Sequence, residues 1–249
     1  MQKATAVLKA VLLDLDDTLL ENPMATFLPA YFQTLTRHAA PLISPDRLIS
    51  ALMAGMRAME TNDGGGLTNE EAFSEVFYPA ARRSEDILKP VLIDFYAKVF
   101  PGLRSLTRPA PKSRSLVERL FSAGFQVAVA TNPVFPLIAI EQRLEWADVP
   151  VTDFDYALVT SMENSRALKP HPAYYREILA LLGRDAGECL MVGDDWIRDI
   201  VPAAAAGISV FWICGDEIPI PDAAVPLLGH GSLSDLEDLV RPMESSHQD

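Results

Sequence analysis

Asp14-Leu15-Asp16-Asp17-Thr18 follows directly on the apolar run Val11-Leu12-Leu13. Side chains of an extended segment alternate between faces, so Asp14 and Asp16 can point into one small volume. Two carboxylates placed there repel unless a cation sits between them or one keeps its proton. The spacing therefore points to a hard metal, to acid–base chemistry, or to both. In open α/β sheets, ligands bind beyond the carboxyl ends of the strands, which is where this pair falls. Asp-rich strand ends also serve as turns and helix caps, and Asp16, Asp17 and Thr18 suit that plainer use.

Three further apolar runs end in polar residues. One ends Ala130-Thr131-Asn132, one runs on to Lys169-Pro170, and one ends Val192-Gly193-Asp194-Asp195 with Asp199 a helical turn beyond. Each is weak alone. Thr-Asn before Pro133 suits a turn, a single Lys suits a solvated side chain, and Asp194 or Asp195 suits a helix cap. Their order and their common placement at strand ends set them apart.

The elements that must position these residues are legible as short apolar runs. Strands are expected over Val7–Leu15, Phe125–Ala130, Tyr156–Thr160, Cys189–Val192 and Ile208–Ile213. A helical segment precedes each of the later four: Ser115–Ala123, Pro136–Trp146, Pro172–Leu182 and Trp196–Ala206. Three of these helices stop at Gly124, Gly183 and Gly207, the usual C-terminal signal. Alternation of strand and helix predicts an α/β fold with a parallel sheet and right-handed crossovers. Residues 19–130 break that rhythm, being far longer than one crossover needs. Their surplus reads as helices. Pro23–His38 is one, Ser44-Pro45-Asp46 starts a second, Thr68-Asn69-Glu70-Glu71 is a capping box for a third, and Ser84–Val99 is a fourth. Residues 21–101 are thus expected to be a helical cap domain inserted into a sheet domain of residues 1–20 and 102–249. Gly64-Gly65-Gly66 lacks the following Lys-Ser/Thr of a phosphate-binding P-loop and reads as a flexible loop. The tail Met243–Asp249 reads as disordered.

Bulk properties narrow the function. The 249 residues are 49% hydrophobic and 22% charged, with a net charge of −13 and no basic tract. A nucleic-acid partner is disfavoured, because a phosphate backbone needs a positive face. No apolar run approaches the roughly 20 residues of a membrane span. Residues 4–15 are short, interrupted by Lys9 and closed by Asp14, which is a core strand rather than a signal peptide. Cys189 and Cys214 lie in strand-like runs without ligand spacing, so buried thiols and a reducing cytoplasm are expected.

Taken together, the motifs resemble the haloacid dehalogenase (HAD) superfamily of hydrolases. Asp14-Leu15-Asp16-Asp17-Thr18 matches its first motif, Thr131 its second, Lys169-Pro170 its third, and Gly193-Asp194-Asp195-Trp196-Ile197-Arg198-Asp199 its fourth. A helical cap between the first two motifs is also a family feature, so the likeness covers the whole chain. It implies a doubly wound Rossmann-like sheet of strand order 5-4-1-2-3, with the first and fourth strands adjacent. It further implies that Asp14 attacks phosphorus to form an aspartyl-phosphate, while Asp16 protonates the leaving alkoxide and then deprotonates water. Mg2+ would bind Asp14, the backbone carbonyl of Asp16, and Asp194, with Asp199 orienting a metal water or Lys169 from behind. Thr131 and the amides near Asn132 would hold phosphoryl oxygens, and Lys169 would offset the negative charge. Asp195 is an alternative acid at the metal, or a helix cap.

The expected activity is Mg2+-dependent hydrolysis of a small phosphate monoester by a cytoplasmic monomer or homodimer, the cap closing over the substrate. The alternatives are a 2-haloacid dehalogenase, a phosphotransferase or mutase, and a non-catalytic protein that senses phosphate and metal. His171 is expected to start a helix. Arg37, Arg57, Arg82 and Arg83 are expected on solvated surface, and Trp146, Trp196 and Trp212 in the core.

Overall fold

The computed structural model describes residues 7–215, 218–222 and 224–241; the tail expected to be disordered, Met243–Asp249, lies outside them. Ala10–Leu13 forms β1, and all four side chains are fully buried. A strand covered on both faces reads as a continuous apolar run, as this one does. Pairing starts later than the expected Val7, which is 56% exposed. After Leu15 the chain reverses tightly. Asp17 takes a φ of 56°, a left-handed conformation that Asp adopts more readily than most residues. Its N–H donates to the Leu20 carbonyl.

A two-residue strand, β2 (Leu20–Glu21), then leads into four helices: α1 (Met24–Ala39), α2 (Pro45–Glu60), α3 (Asn69–Ala81) and α4 (Glu85–Lys98). The capping box forms: the Thr68 hydroxyl accepts from the Glu71 N–H, and the Glu71 carboxylate accepts from the Thr68 N–H at 2.7 Å. The chain returns through a 3-10 turn, Phe100–Leu106, into β3 (Arg108–Pro109), which pairs antiparallel with β2. One narrow ribbon thus carries the chain both into and out of the helical segment.

The remaining elements alternate. They are α5 (Ser113–Ser122), β4 (Gln126–Val129), α6 (Leu137–Trp146), β5 (Leu158–Val159), α7 (Pro172–Leu182), β6 (Cys189–Gly193), α8 (Val201–Ala205), β7 (Ser209–Ile213), β8 (Leu227–Gly231) and α9 (Leu233–Val240). The sheet runs β5-β4-β1-β6-β7-β8. Every pair in it is parallel, and Leu13 faces Val129 on one side and Val192 on the other. The five strands read from sequence keep their expected order, so the ends of the first, second and fourth meet.

Two elements differ from expectation. β8 is a sixth strand. Its Leu-Leu-Gly-His-Gly sequence has no β-branched residue and two glycines, which hides it from a propensity reading. Gly229 is needed there because a Cβ would come within 2.8 Å of the Phe211 ring on β7. The helix expected over 196–206 opens with a π-helical turn, Trp196–Ile200, before α8. Pro202 has no N–H to give the Arg198 carbonyl, and the Tyr175 hydroxyl donates to that carbonyl instead.

Alternation along β1 builds both cores. Val11 and Leu13 join one apolar cluster with α5, α6 and α9, while Ala10 and Leu12 join another with α7 and α8. The first cluster runs on without a break into α1–α4. Phe100 stacks on Trp146 at 5.2 Å, and Tyr31 meets Phe135 edge-on at 5.4 Å. Trp212 is buried as expected, and Trp196 packs edge-on against it at 5.0 Å.

Candidate active site

Asp14 continues the ladder of β1 by one residue, its N–H donating to the Val192 carbonyl at 2.9 Å. That bond fixes its side chain at the seam between β1 and β6. The side chain is 10% exposed and receives the Lys169 ammonium on Oδ1 at 2.7 Å. The same ammonium reaches Asp199 Oδ1 at 2.5 Å. Lys169 is placed by the loop before α7, where the Asn132 side-chain oxygen accepts the Lys169 N–H at 3.1 Å. His171 then caps α7 through a bond from the Ala173 N–H to Nδ1.

Asp194 follows β6, and Asp199 returns over the strand end on the π-helical turn. The second Asp199 oxygen accepts the Asp195 N–H at 3.1 Å. Gly193 makes this fold-back possible, because a Cβ there would overlap the Asp199 carboxylate. Asp195 itself is a cap: its Oδ1 accepts the N–H groups of Ile197 and Arg198 at 2.9 and 3.0 Å. Thr131 is buried beside this group, and its carbonyl accepts the Tyr174 hydroxyl at 2.9 Å.

Asp14 and Asp199 therefore meet on one lysine, with Asp194 beside the two acids. Burial pushes the Asp14 carboxyl up; Lys169 pulls it down, and Asp199 and Asp194 push it up again, leaving it well above the usual range. Burial, with Asp199 and Asp17 nearby, pushes Asp194 up to about 7. For Lys169, burial works against the charge, but Asp14 and Asp199 overcome it and hold the amine firmly as ammonium. Negative charge is in excess, as it must be where a cation is to bind. Carboxylate oxygens of Asp14, Asp194 and Asp199 lie within 4.8 Å of one another. An all-oxygen donor set suits a hard ion such as Mg2+. Both Asp199 oxygens are already engaged, so Asp14 and Asp194 are the better-placed ligands.

Asp16 stands apart from that cluster, which corrects the expectation that its side chain shares one volume with Asp14. Its Oδ2 accepts from Arg143 Nη1 at 2.5 Å and its Oδ1 from Asn22 Nδ2 at 2.9 Å. Beside Arg143 and Asn22, the structure places a further neighbour whose role the sequence reading lacks. Asn69, the first residue of α3, is fully buried. Its side-chain amide donates to the Pro133 and Ala167 carbonyls at 3.4 and 3.3 Å, and its N–H donates to Ser165 at 2.8 Å. The helical segment thus rests on the two loops that carry Asn132 and Lys169. A polar residue directly after a capping Thr gives no sign of such a contact. Arg143 carries a clearer sign, a cation among Ala139, Ile140 and Leu144 on the apolar face of α6. Arg37, Arg57, Arg82 and Arg83 are exposed, as expected.

A sequence model of the haloacid dehalogenase-like hydrolases matches residues 8–207. A phosphoglycolate phosphatase of Rhodospirillum rubrum is 30% identical over 204 residues, spanning 81% of this chain and 78% of that protein. A ribulose-1,5-bisphosphate 5-phosphatase of Halopiger xanaduensis is 28% identical, spanning 80% and 82%. Among solved structures, a 2-haloacid dehalogenase of Pseudomonas syringae superposes with a TM-score of 0.66 at 21% identity, covering 95% of this chain and 99% of that one. A HAD phosphatase of Thermococcus onnurineus gives 0.57, also at 21% identity, covering 94% and 98%.

Proposed function

This chain belongs to the haloacid dehalogenase-like hydrolases, and from that premise we propose that it is a Mg2+-dependent phosphatase of small phosphate monoesters. The observation that carries the reading is the cluster of Asp14, Asp194 and Asp199 carboxylates at the end of β1, with Lys169 bonded to Asp14 and Asp199. When bound, Mg2+ would be held by Asp14, Asp194 and the Asp16 carbonyl, and would supply charge neutralisation for a phosphoryl group. Asp14 attacks phosphorus through a carboxylate oxygen, the ester P–O bond breaks, and Asp16 gives its proton to the departing alkoxide. Asp16 then takes a proton from water, whose oxygen attacks phosphorus and frees Asp14 and phosphate. Lys169 stays protonated throughout and orients Asp14. Asp199 in turn orients Lys169. Thr131 and the amides near Asn132 receive the phosphoryl oxygens.

Halide displacement from carbon is the rival reaction. A halide leaves without a proton and gains little from a divalent cation, so the extra acids favour phosphate chemistry. The similarity to a dehalogenase structure speaks for the fold, whereas the phosphatase relatives speak for the reaction class. Residues 21–101 are proposed to act as a cap that closes on the substrate, resting on the site through Asn69. A net charge of −13 disfavours nucleic acid, and no helix among the described residues is long and apolar enough to cross a membrane. Cys189, buried, and Cys214, half-buried rather than buried as expected, suit a cytoplasmic address as thiols. The test is a panel of phosphate esters, 2-phosphoglycolate included, assayed with Mg2+ and with a chelator. Phosphate release that needs the metal and disappears in Asp14→Asn is expected. Halide release from 2-haloacids without phosphate release would refute the reading.

A further inference from the structure

The two donors that anchor Asp16 differ in origin. Asn22 belongs to the same turn, six residues on, whereas Arg143 reaches across from α6, 127 positions away. The Arg143 side chain is 1% exposed, and its guanidinium lies 4.7 Å over the Phe135 ring. Phe135 is in turn packed against Tyr31 of α1. The adjacent Gln142 donates to the Tyr96 carbonyl of α4 at 2.8 Å. Helix α6 is therefore tied to the helical segment through Gln142 and to Asp16 through Arg143.

A buried guanidinium is a poor filler. It must be stripped of water, and an apolar side chain of similar volume commonly packs at least as well. The surroundings do little for the rest of this one: Nε reaches only the Ala139 carbonyl, at 3.4 Å, and Nη2 is buried without an acceptor among the described residues. The close contact is the one to Asp16. Asp16 needs such a tether, because its side chain is 21% exposed and sits on a reversal of the chain. Proton transfer requires a carboxyl held within hydrogen-bond reach of the leaving oxygen. A carboxylate has about four acceptor sites, so two donors can orient it and still leave room for the proton it exchanges.

We propose that Arg143 is a positioning residue that aims Asp16 at the leaving-group oxygen. The proposal rests on the phosphatase reading. Its test compares wild type, Arg143→Met, Arg143→Lys, Asp16→Asn and the Arg143→Met/Asp16→Asn double variant. Each is assayed with Mg2+ on an alkyl phosphate and on p-nitrophenyl phosphate, whose leaving group needs little protonation. Arg143→Met is expected to lower kcat/KM on the alkyl ester roughly 10–100-fold, the usual scale for loss of an orienting partner, and to affect the aryl ester far less. Arg143→Lys should recover part of the loss. In the Asp16→Asn background Arg143→Met should add almost nothing, since it acts through the missing acid. Equal losses on both esters, no loss on either, or full additivity with Asp16→Asn would each overturn the proposal. If Arg143→Met does not fold, Arg143→Lys decides alone: an alkyl-selective loss supports the proposal and any uniform outcome refutes it. A wild type silent on every ester would remove the phosphatase reading itself, and the proposal with it, a failure recognisable before any variant is compared.

Discussion

At the scale of single residues, the site depends on contacts measured in tenths of an ångström. Asp16 is the residue that separates phosphate ester cleavage from halide displacement, because only the former expels a basic oxygen. Asp16→Asn is expected to slow alkyl esters by about 10²–10⁴-fold, the usual worth of general acid catalysis. An activated aryl phosphate should lose much less, and equal losses across a leaving-group series would contradict the role. Gly193 supports the opposite side of the site. In Gly193→Ala the new Cβ overlaps the Asp199 carboxylate, which must move and take its bond to Lys169 with it. Turnover should fall at least about tenfold, in line with losses on removing an orienting partner. The circular dichroism spectrum should stay native. Activity at the wild-type level would show that the Lys169–Asp199 contact does not matter.

At the scale of elements, the start of α3 is the joint between the helical segment and the sheet. Asn69 gives its amide to two buried carbonyls on different loops. Asn69→Ala would take the side-chain donor from both carbonyls, at a cost of about 1–3 kcal/mol. For a protein of this size that is a drop in Tm of roughly 2–4 °C per kcal/mol. Because those loops carry Asn132 and Lys169, KM should rise along with the loss of stability. A variant that melts lower but keeps the wild-type KM would make Asn69 a purely structural link.

At the scale of the whole molecule, the acid cluster couples stability to pH and to metal. Burial pushes Asp194 up to about 7 in the fold, against 3.8 for an unperturbed carboxyl. Between those values the folded chain holds a proton that the unfolded chain has lost, so stability falls as pH rises through the window. The raised Asp14 carboxyl acts with the same sign. In chelator, Tm is expected to decline from pH 5 to pH 8. Mg2+ binds the ionised carboxylates, so the gap between Mg2+ and chelator should widen over the same range. Thermal melts across that range check this, and a chelated Tm that climbs with pH would contradict it.

Much of this architecture was readable along the chain because its signals are local. Apolar runs such as Val11-Leu12-Leu13, the glycines after α5, α7 and α8, and the Thr68–Glu71 capping box each span a few residues and depend only on backbone geometry. The motifs at the strand ends were legible for the same reason: a parallel sheet delivers every strand's C-terminal end to one edge. β8 was hidden because its pairing rests on β7 rather than on its own residues. The π-helical turn was hidden because it depends on the Tyr175 hydroxyl, far off in sequence, answering for the missing N–H of Pro202.

By itself, then, the order of residues brought the motifs carrying Asp14, Lys169, Asp194 and Asp199 to one edge of the sheet, since topology follows from local patterns. It also grouped Asp16 with Asp14, whereas the fold holds that side chain on Arg143 and Asn22. Only the tertiary structure decided how each acid is used in the fold. Asp195 turns its side chain to two helix N–H groups, Asp199 is claimed by Lys169, and Asp16 is held by an arginine 127 residues away. The physical reason is that a carboxylate's partner is chosen by distance and burial in three dimensions, and neither is written in the spacing of neighbouring residues.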